Sequence, residues 1–435
     1  MMTGITDQIK SAKLATVRMS VLPTAIKNDA LSKMADALDS KRGYVIEENR
    51  KDLKDSEGKI PGPMYKRMMV DDAKVDEMVR GIKSVMSLED PVGGTMSSLE
   101  MDDGLMLYQV RCPVGMLGVV FESRPDVVPQ IMSLCLKSGN CVAFKGGSEA
   151  RRTIKAIFDI LREAAAAAGI PDSAFVLLES RDDFKEILDL DEYIDLLIPR
   201  GSNSFVRYVQ ENTRIPVLGH AAGICHVYID SECDQDMALE VAMDSKIQYP
   251  AVCNAVENIL VDSDIADVFL PRLISCMKEN GVEIRGDDRT IAIVPDINRA
   301  SEEDWYEEYD DLIIAIKVVD SLEDAIEFIN SHSSHHTEAI ITNNMQKASV
   351  FVKMVDSADV FVNASTRFAD GYRFGKGAEV GISTNKIHAR GPMGMEGLMI
   401  YKYVLVGSGQ VVKDYVGKNA KQFKHIRKDE ECPLR

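Results

Sequence analysis

The segment Lys137-Ser-Gly-Asn-Cys-Val-Ala-Phe-Lys-Gly-Gly147 combines a turn, a short apolar strand and a basic residue at the end of that strand. A helical stretch over 148–168 follows it. In open parallel sheets, ligands bind just outside the carboxyl ends of the strands. Gly146 would allow the backbone to approach such a ligand, and Lys145 could meet a ribose or a phosphate. An ordinary strand-to-helix turn with a solvated lysine is an equally good interpretation of this segment alone.

Short apolar runs alternate with helical stretches on both sides of this segment. The runs cover 116–121, 141–144, 175–178, 193–198 and 225–229, and the helical stretches cover about 127–137, 148–168 and 202–212. Continuous apolar strands that alternate with helices indicate a parallel sheet covered on both faces. The pattern therefore predicts an α/β fold.

A second α/β region is predicted from about residue 231. Its helices are expected at 234–247, 264–279 and 321–330, and its strands at 255–261, 291–294, 312–319, 338–342 and 359–363. The Gly-rich, polar stretch 363–397 is interpreted as an ordered loop that lines a site. Two β-patterned runs, 104–111 and 398–412, do not fit the alternation. The second is interpreted as a hairpin, and both are expected to pair with another subunit.

Composition excludes several classes of function. The chain has 435 residues and a formal net charge of −18, which argues against nucleic acid or an anionic membrane as a partner. No apolar run reaches the length of a membrane span, and the amino-terminal residues lack a signal-peptide pattern, so a cytoplasmic protein is expected. The eight cysteines form no CxxC pair and no cluster with zinc-ligand spacing, so no metal site is predicted.

Cys253 is the candidate nucleophile. It follows the helical pattern 234–247 and precedes a strand-like run that begins at Asn258. A thiol at such a junction can lie at the bottom of a cleft, where its own backbone N–H could donate to the oxygen of the attacked carbonyl. A cysteine is more often a small buried hydrophobic residue. The adjacent Asn254, the nearby Pro250 and the other motifs favour a functional role.

Three further segments could bind an anion or a polar ligand. Gly201 and Ser202 open a helix, whose free N–H groups favour an anion, although a plain helix cap explains them as well. The histidines near 335 have irregular spacing, which favours hydrogen bonding over metal binding. Basic side chains concentrate in the loop 363–397, at Arg367, Arg373, Lys386, His388 and Arg390. Arginine can bind a carboxylate or phosphate through two parallel hydrogen bonds.

Together these segments resemble the γ-glutamyl phosphate reductases, a branch of the aldehyde dehydrogenase superfamily, over nearly the whole chain. The most specific motifs are Glu122-Ser-Arg-Pro-Asp126, Ile198-Pro-Arg-Gly201, Cys253-Asn-Ala255, Asn363-Ala-Ser-Thr-Arg-Phe368, Gly377-Ala-Glu-Val-Gly-Ile-Ser383 and His388-Ala-Arg-Gly-Pro-Met-Gly394. Asp126 and the triplet His220-Ala-Ala depart from the common bacterial pattern and resemble the forms that eukaryotes fuse to a glutamate kinase.

The resemblance implies a role for individual residues. Cys253 corresponds to the family's nucleophile, Lys145 to the lysine at the adenine ribose or its 2′-phosphate, and Glu308 to the glutamate at the nicotinamide ribose. Gly201 and Ser202 correspond to the helix start near the pyrophosphate, and Gly146 is expected beside the cofactor. Substrate contacts are expected from Arg124, His220, Asn254, His336, Asn363, Ser365, Thr366 and Arg367.

The resemblance also implies an aldehyde-dehydrogenase-like α/β architecture, with two parallel-sheet domains and a β-hairpin oligomerisation arm. The NADP(H)-binding domain is expected at 1–98 and 113–229, the catalytic domain at 230–397 and the arm at 99–112 and 398–435. The implied reaction is the NADPH-dependent reduction of L-glutamyl 5-phosphate in proline biosynthesis. A homo-oligomer, dimer or tetramer, is expected, with glutamate 5-kinase as a partner for substrate transfer.

Two other functions remain open. A hydrolytic aldehyde dehydrogenase needs a general base to activate water, and in the superfamily this base is a glutamate in the loop before the thiol. The corresponding segment, Pro216-Val-Leu-Gly-His-Ala-Ala-Gly223, contains no carboxylate, which favours the reductase. A non-catalytic scaffold or regulatory subunit on the same fold is the third possibility, since fold alone does not imply activity.

Overall fold

The computed structural model describes residues 4–179, 181–219 and 222–434. The chain forms two compact units, each built from segments that are not continuous in sequence. The first unit comprises Met1–Gly201, Tyr208–Leu218 and Gly394–Arg435, and the second comprises Ser202–Arg207 and Gly219–Met393. Among the described residues, no helix combines the length and the apolar character that crossing a bilayer requires.

A parallel sheet of four strands forms the centre of the first unit. The strand order is β5-β4-β3-β6, with β3 at Met116–Phe121, β4 at Cys141–Lys145, β5 at Phe175–Leu177 and β6 at Leu196–Arg200. Each neighbouring pair is parallel, as the strand–helix alternation predicts. All six residues of β3 are buried, which explains why its sequence is continuously apolar.

Helices cover this sheet, and the stretches predicted at about 127–137 and 148–168 are among them. They are α1 Ile5–Met19, α2 Thr24–Ser40, α3 Arg42–Ser56, α4 Gly62–Met68, α5 Asp72–Ser87, α6 Val127–Ser138, α7 Arg151–Ala166 and α8 Arg181–Leu188. Helix α9, Asn203–Glu211, has residues in both units. Helix α6 ends at Gly139, whose φ of 75° is left-handed, so glycine allows the chain to turn directly into β4.

A separate antiparallel sheet contains the two runs that did not fit the alternation. Its order is β16-β2-β1-β17, with β1 at Thr95–Asp102, β2 at Leu105–Pro113, β16 at Met399–Val406 and β17 at Ile426–Lys428. The predicted hairpin over 398–412 is wrong, because β16 pairs along its whole length with β2 of the same chain. The side chain of Gln410 instead bonds to the Ser408 N–H at 2.7 Å and to the Asp103 carbonyl at 2.9 Å, which closes a turn.

The second unit contains a parallel sheet of seven strands and a small hairpin. The sheet order is β10-β9-β11-β8-β7-β12-β13, and the hairpin pairs β14 with β15. The strands are β7 Cys225–Ile229, β8 Val256–Asp262, β9 Glu283–Gly286, β10 Asn298–Arg299, β11 Ile313–Val319, β12 Thr337–Ile341, β13 Asp359–Val362, β14 Gly381–Ser383 and β15 Gly391–Met393. The helices are α10 Gln235–Ile247, α11 Ser263–Glu279, α12 Asp288–Ile293, α13 Leu322–His332 and α14 Met345–Met354.

Two apolar clusters bury the two faces of the seven-stranded sheet. Successive residues of β8 point to opposite faces, so Ile259 packs with residues of α10 and α11 while Leu260 packs with residues of α13 and α14. Burial on both faces requires apolar side chains at almost every position of the central strands. The helices that cover the sheet begin with side-chain caps, for example Asp234 before α10 and Ser321 before α13.

The structure differs from the sequence expectations at two points of this unit. The strand at 225–229 was expected to close the first domain, but it lies in the second unit between β8 and β12. Its apolar pattern predicts a buried strand but does not indicate which of the two parallel sheets the strand joins. The strand predicted at 291–294 is wrong, because residues 288–293 form α12. The carboxylate of Asp287 caps this helix by accepting from the Thr290 N–H at 2.8 Å.

Candidate active site

Cys253 lies in a tight turn immediately before β8, the central strand of the seven-stranded sheet. The turn is closed by the Ala255 N–H, which donates to the Val252 carbonyl at 2.9 Å. The Cys253 side chain is partly exposed, whereas the following Asn254 is only 4% exposed. The structure therefore presents the candidate nucleophile at the amino edge of the sheet and does not pack it into the core.

The turn that carries Cys253 is held by its neighbours in the second unit. The Asn254 Nδ2 atom donates to the Ala369 carbonyl at 2.7 Å. Gly223 approaches the backbone of Cys253 so closely that a Cβ atom at position 223 would lie 2.2 Å from the Cys253 carbonyl oxygen. Glycine is therefore required at 223 for steric reasons.

Arg367 interacts electrostatically with Cys253 within the second unit. Its Nε atom donates to the Gln248 Oε1 atom at 3.0 Å, which directs the guanidinium along the end of α10. Burial lowers the pKa of Arg367 from its ordinary value, the positive charge of Arg373 adds to this effect, and attraction to Cys253 opposes it. A guanidinium that is electrostatically coupled to the thiol favours an anion at this position, either a thiolate or an anionic group of a ligand.

Ser365 and Thr366 fasten the segment that carries Arg367. The Ser365 hydroxyl accepts from the Arg367 N–H at 3.2 Å and lies 3.2 Å from the Ser245 hydroxyl. The Thr366 N–H donates to the Ser245 Oγ atom at 3.2 Å. These two residues therefore anchor the Arg367 loop to helix α10.

Two buried polar atoms near the thiol have no hydrogen-bond partner in the described protein. They are the Oδ1 atom of Asn254 and the Oγ1 atom of Thr366. Buried polar atoms are nearly always paired, so an unpaired atom in a native structure needs an explanation. A polar ligand or an ordered water at this position would satisfy them.

The other predicted substrate residues of the second unit occupy different positions. His336 is buried, and its Nδ1 atom lies 2.8 Å from the Thr337 hydroxyl and 3.7 Å from the Cys225 sulfur. Asn363 follows the carboxyl end of β13. Its Oδ1 atom accepts from the Thr342 N–H and its Nδ2 atom donates to the Thr342 carbonyl, both at 2.9 Å. This bonding braces the turn after β12. His220 lies outside the described residues, and its predicted role remains a prediction.

Arg124 belongs to the first unit, in the loop after β3. The Glu122 N–H in this loop donates to the Arg200 carbonyl at 3.1 Å, and Ser123 adopts a left-handed φ of 46°. The Ser123 backbone N–H and hydroxyl both donate to the Glu149 Oε1 atom at 2.7 Å. The Arg124 side chain is 41% exposed, and its Nε atom lies 3.9 Å from the Asp126 carboxylate.

The candidate cofactor pocket lies at the carboxyl end of β4 in the first unit, where parallel sheets bind ligands. This shallow recess opens to solvent, and its lining includes Lys145, Gly146, Gly147, Ser148, Arg151 and Lys155. A Cβ atom at Gly146 would lie 2.4 Å from the Ile154 Cδ1 atom and 3.1 Å from the Phe121 ring, so a side chain there would require Ile154 to move. Lys145 and Arg151 beside the glycine backbone suit a ribose and a phosphate, whereas Lys155 is paired at 3.0 Å with Glu179, which lines the same recess.

The remaining predicted cofactor residues lie around the start of α9. Gly201 belongs to the first unit and follows β6, and Ser202 precedes α9 in the second unit. The Ser202 hydroxyl lies 3.4 Å from the Ser204 hydroxyl. Glu308 accepts from the Asn203 Nδ2 atom at 3.0 Å, so the second unit itself joins Glu308 to the beginning of α9.

Several residues that shape the Cys253 site and the pocket at Lys145 were not predicted from the sequence. Gly223, Ser245 and Gln248 hold the Cys253 turn and the Arg367 loop, and Arg151 lines the pocket at Lys145. The arginine at the start of α7 carried a detectable signal, because it lies three residues after the Lys145-Gly-Gly-Ser148 segment. Across the described residues, no group of three or more His, Cys, Asp or Glu side chains is placed to hold a metal ion.

The two parallel-sheet units and the thiol before β8 define an aldehyde dehydrogenase fold. The model of the aldehyde dehydrogenase family matches residues 3–312, and the chain belongs to this family. Members of the family use a nicotinamide cofactor.

Within the family, the predicted resemblance to the γ-glutamyl phosphate reductases is confirmed. The γ-glutamyl phosphate reductase of Methanosarcina mazei is 53% identical over 99% of this chain and 98% of that protein. The protein of the same name from Ruminiclostridium cellulolyticum is 51% identical over 97% of each chain. The crystal structure of γ-glutamyl phosphate reductase from Thermotoga maritima matches with a TM-score of 0.92 and 41% identity, covering 94% of this chain and 100% of that one. These names confirm the prediction of an oxidoreductase of the aldehyde dehydrogenase family.

Proposed function

We propose that the protein reduces L-glutamyl 5-phosphate to L-glutamate 5-semialdehyde and phosphate with NADPH, and that Cys253 is the nucleophile. The observation that carries the proposal is the partly exposed thiol in a fastened turn, coupled to the Arg367 guanidinium. The names of relatives more than 50% identical to the chain over nearly its whole length support the choice of substrate.

The proposed first step is acyl transfer to the protein. The Cys253 sulfur attacks the acyl carbon as a thiolate, the C–O bond to phosphate breaks, and a thioester with inorganic phosphate results. When bound, the nicotinamide cofactor supplies the hydride that reduces this acyl group. Collapse of the resulting oxyanion returns the thiolate of Cys253 and releases the aldehyde. Donation from the Cys253 backbone N–H to the oxyanion remains a prediction from the sequence.

Substrate recognition is proposed to depend on Arg367 and its loop. The substrate carries an α-carboxylate and a phosphate, and a partly desolvated guanidinium binds either more strongly than a solvated one. The unpaired Asn254 Oδ1 and Thr366 Oγ1 atoms, in residues next to Cys253 and Arg367 in the chain, support polar groups of a ligand at these positions. Asn363, Ser365, His336, His220 and Arg124 remain predicted substrate residues, of which Asn363 and Ser365 have backbone and hydroxyl partners in the second unit.

The pocket at Lys145 supports NADPH as the cofactor. Lys145 with Arg151 would hold a 2′-phosphate, and the backbone at Gly146 would allow the ribose to approach. Gly201, Ser202 and Glu308 remain the predicted contacts to the pyrophosphate and the nicotinamide ribose. The proposed division of labour follows the predicted domains, with cofactor binding at 1–98 and 113–229 and the cysteine chemistry at 230–397, except that the strand at 225–229 belongs with the cysteine chemistry.

The antiparallel sheet is proposed to act as an oligomerisation arm for a homo-oligomer. Strand β16 lies at the edge of this sheet and exposes Ile400, Tyr401, Tyr403 and Leu405. An exposed apolar edge strand favours pairing with another chain. A cytoplasmic location and substrate transfer from glutamate 5-kinase remain predictions from the sequence and the resemblance.

Phosphate dependence tests the proposed function against its alternatives. In the reverse direction, NADP⁺ reduction with glutamate semialdehyde should require inorganic phosphate, because phosphate releases the acyl group from Cys253. Turnover without phosphate would indicate the hydrolytic dehydrogenase, and no turnover under either condition would indicate a scaffold. Cys253→Ser should abolish turnover and leave NADPH binding intact, as measured by fluorescence titration. A Cys253→Ser protein that retains turnover would overturn the nucleophile assignment.

A further inference from the structure

A second cysteine contacts the backbone of the proposed nucleophile. Cys225 is the first residue of β7, and its side chain is fully buried. Its sulfur lies 3.2 Å from the Cys253 carbonyl oxygen, with the S–H as the donor. Burial raises the pKa of the Cys225 thiol well above its ordinary value, so the thiol keeps the proton that it donates.

The Cys225 contact completes the restraints on the Cys253 turn. The bond from Ala255 to Val252 closes the turn, and the bond from the Asn254 amide to the Ala369 carbonyl ties its far side to the Arg367 segment. The thiol of Cys225 then fixes the direction in which the Cys253 carbonyl points. With the backbone on both sides of the Cys253 Cα atom restrained, the direction of the Cα–Cβ bond is set, and the sulfur keeps only rotation about that bond.

The segment around Cys225 is itself held firmly. The Ile224 N–H donates to the Ser334 hydroxyl at 2.8 Å, and Gly223 lies against the Cys253 backbone, where a Cβ atom would be 2.5 Å from the Cys253 Cα atom. The Cys225 sulfur also lies 3.7 Å from the His336 Nδ1 atom. The thiol donor is therefore presented by a rigid strand end and not by a mobile loop.

We propose that Cys225 is a positioning residue for Cys253, and that its S–H bond to the Cys253 carbonyl orients the sulfur for attack on the acyl carbon. This inference rests on the proposed nucleophile role of Cys253. Cys225 itself touches no substrate, forms no covalent bond and transfers no proton in the reaction. Cys225 acts by holding Cys253 in position, and the rate of acyl transfer is sensitive to the position of the nucleophile.

A series of substitutions at one position separates the hydrogen bond from packing. Cys225→Ser keeps a donor of similar size, Cys225→Val fills the same space without a donor, and Cys225→Ala removes both. The readouts are kcat and KM of phosphate-dependent NADP⁺ reduction, and the rate of Cys253 alkylation by iodoacetamide at pH 6 to 9, followed on the Cys253 peptide by mass spectrometry. Cys135→Ala is the matched control, because Cys135 is a fully buried thiol in helix α6 of the first unit.

The expected result is a lower kcat with little change in KM. Cys225→Val and Cys225→Ala should lower kcat by about ten- to one-hundredfold with little change in KM, since about 1 Å of misplacement costs on the order of a hundredfold in rate. They should also change the alkylation rate of Cys253, while Cys225→Ser recovers most of both values and Cys135→Ala changes neither. If the alanine variant fails to fold, the valine and serine pair gives the same comparison.

Two outcomes would overturn the inference. Folded Cys225→Val with the kcat and Cys253 alkylation profile of the unmodified protein would show that the contact has no effect on the nucleophile. Equal losses in the valine and serine variants would assign Cys225 to packing alone. Failure of the proposed function is distinguishable, because it appears as turnover of the unmodified protein without phosphate, as no turnover at all, or as turnover in Cys253→Ser. The alkylation comparison needs no turnover.

Discussion

Gly223→Ala should disable the protein by moving the nucleophile. A Cβ atom at this position would lie 2.2 Å from the Cys253 carbonyl oxygen, 2.5 Å from its Cα atom and 2.7 Å from its carbonyl carbon, whereas ordinary contacts begin near 3.4 Å. All three atoms are backbone atoms, which no rotamer change can remove. The Cys253 turn or the 223 segment must therefore move by about 1 Å, which corresponds to a loss of roughly a hundredfold in kcat, or about 2.7 kcal/mol in activation free energy.

The backbone conformation at Gly223 makes the cause of this loss unambiguous. Gly223 is absent from the glycines with left-handed φ, so alanine is strained there by contact and not by its own dihedral angles. Gly81→Ala is the matched control, because a Cβ atom at Gly81 meets nothing within 4 Å. The assay is phosphate-dependent NADP⁺ reduction, with NADPH affinity and thermal unfolding measured in parallel. A folded Gly223→Ala protein with kcat within about threefold of the unmodified protein would refute the reasoning.

Three further substitutions test separate parts of the site. Arg367→Ala should raise KM for the substrate by about ten- to one-hundredfold, as expected for a lost charged hydrogen bond, and Arg367→Lys should recover only part of it; an unchanged KM would remove Arg367 from the site. Lys145→Ala should weaken binding of NADPH more than of NADH in fluorescence titrations, since only NADPH has a 2′-phosphate; equal weakening would contradict that contact. Burial raises the pKa of Asp359 to about 7 from an ordinary 3.8, so the folded protein holds a proton that the unfolded chain releases, and stability falls as pH rises from about 4 to 7. Asp359→Asn should therefore raise the melting temperature more at pH 8 than at pH 5, and an equal change at both pH values would count against this cause.

The parallel-sheet pattern was readable from sequence because it depends on local composition. A strand buried on both faces must be apolar at consecutive positions, so β3 and β4 were recognisable from their residues alone. The helix that ends at Gly139 was recognisable for a similar reason, since a left-handed residue there favours glycine. In each case the structure requires a particular type of residue at that position, so the residue itself reveals the structure.

The wrong predictions concern runs whose structure depends on residues outside the run itself. The run at 399–406 has the pattern of a hairpin strand, yet its partner is β2, almost 300 residues earlier in the chain. The apolar run at 291–294 was short enough to be a strand or a helix, and the Asp287 cap decided for helix α12. The strand at 225–229 was recognised, but its sheet was not, because pairing of β7 with β8 and β12 depends on distant residues.

The sequence alone determined the chemistry that is available: the thiol of Cys253, the basic loop that contains Arg367, and the glycine-rich turn after Lys145. These features are covalent properties of the residues or local backbone preferences, and they remain the same in any packing. Only the tertiary structure decided which residues support them. Gly223 and Cys225 meet the Cys253 backbone, and Gln248 meets Arg367, through approaches between segments far apart in the chain. Such contacts depend on distances of a few ångströms, which the order of residues does not encode locally.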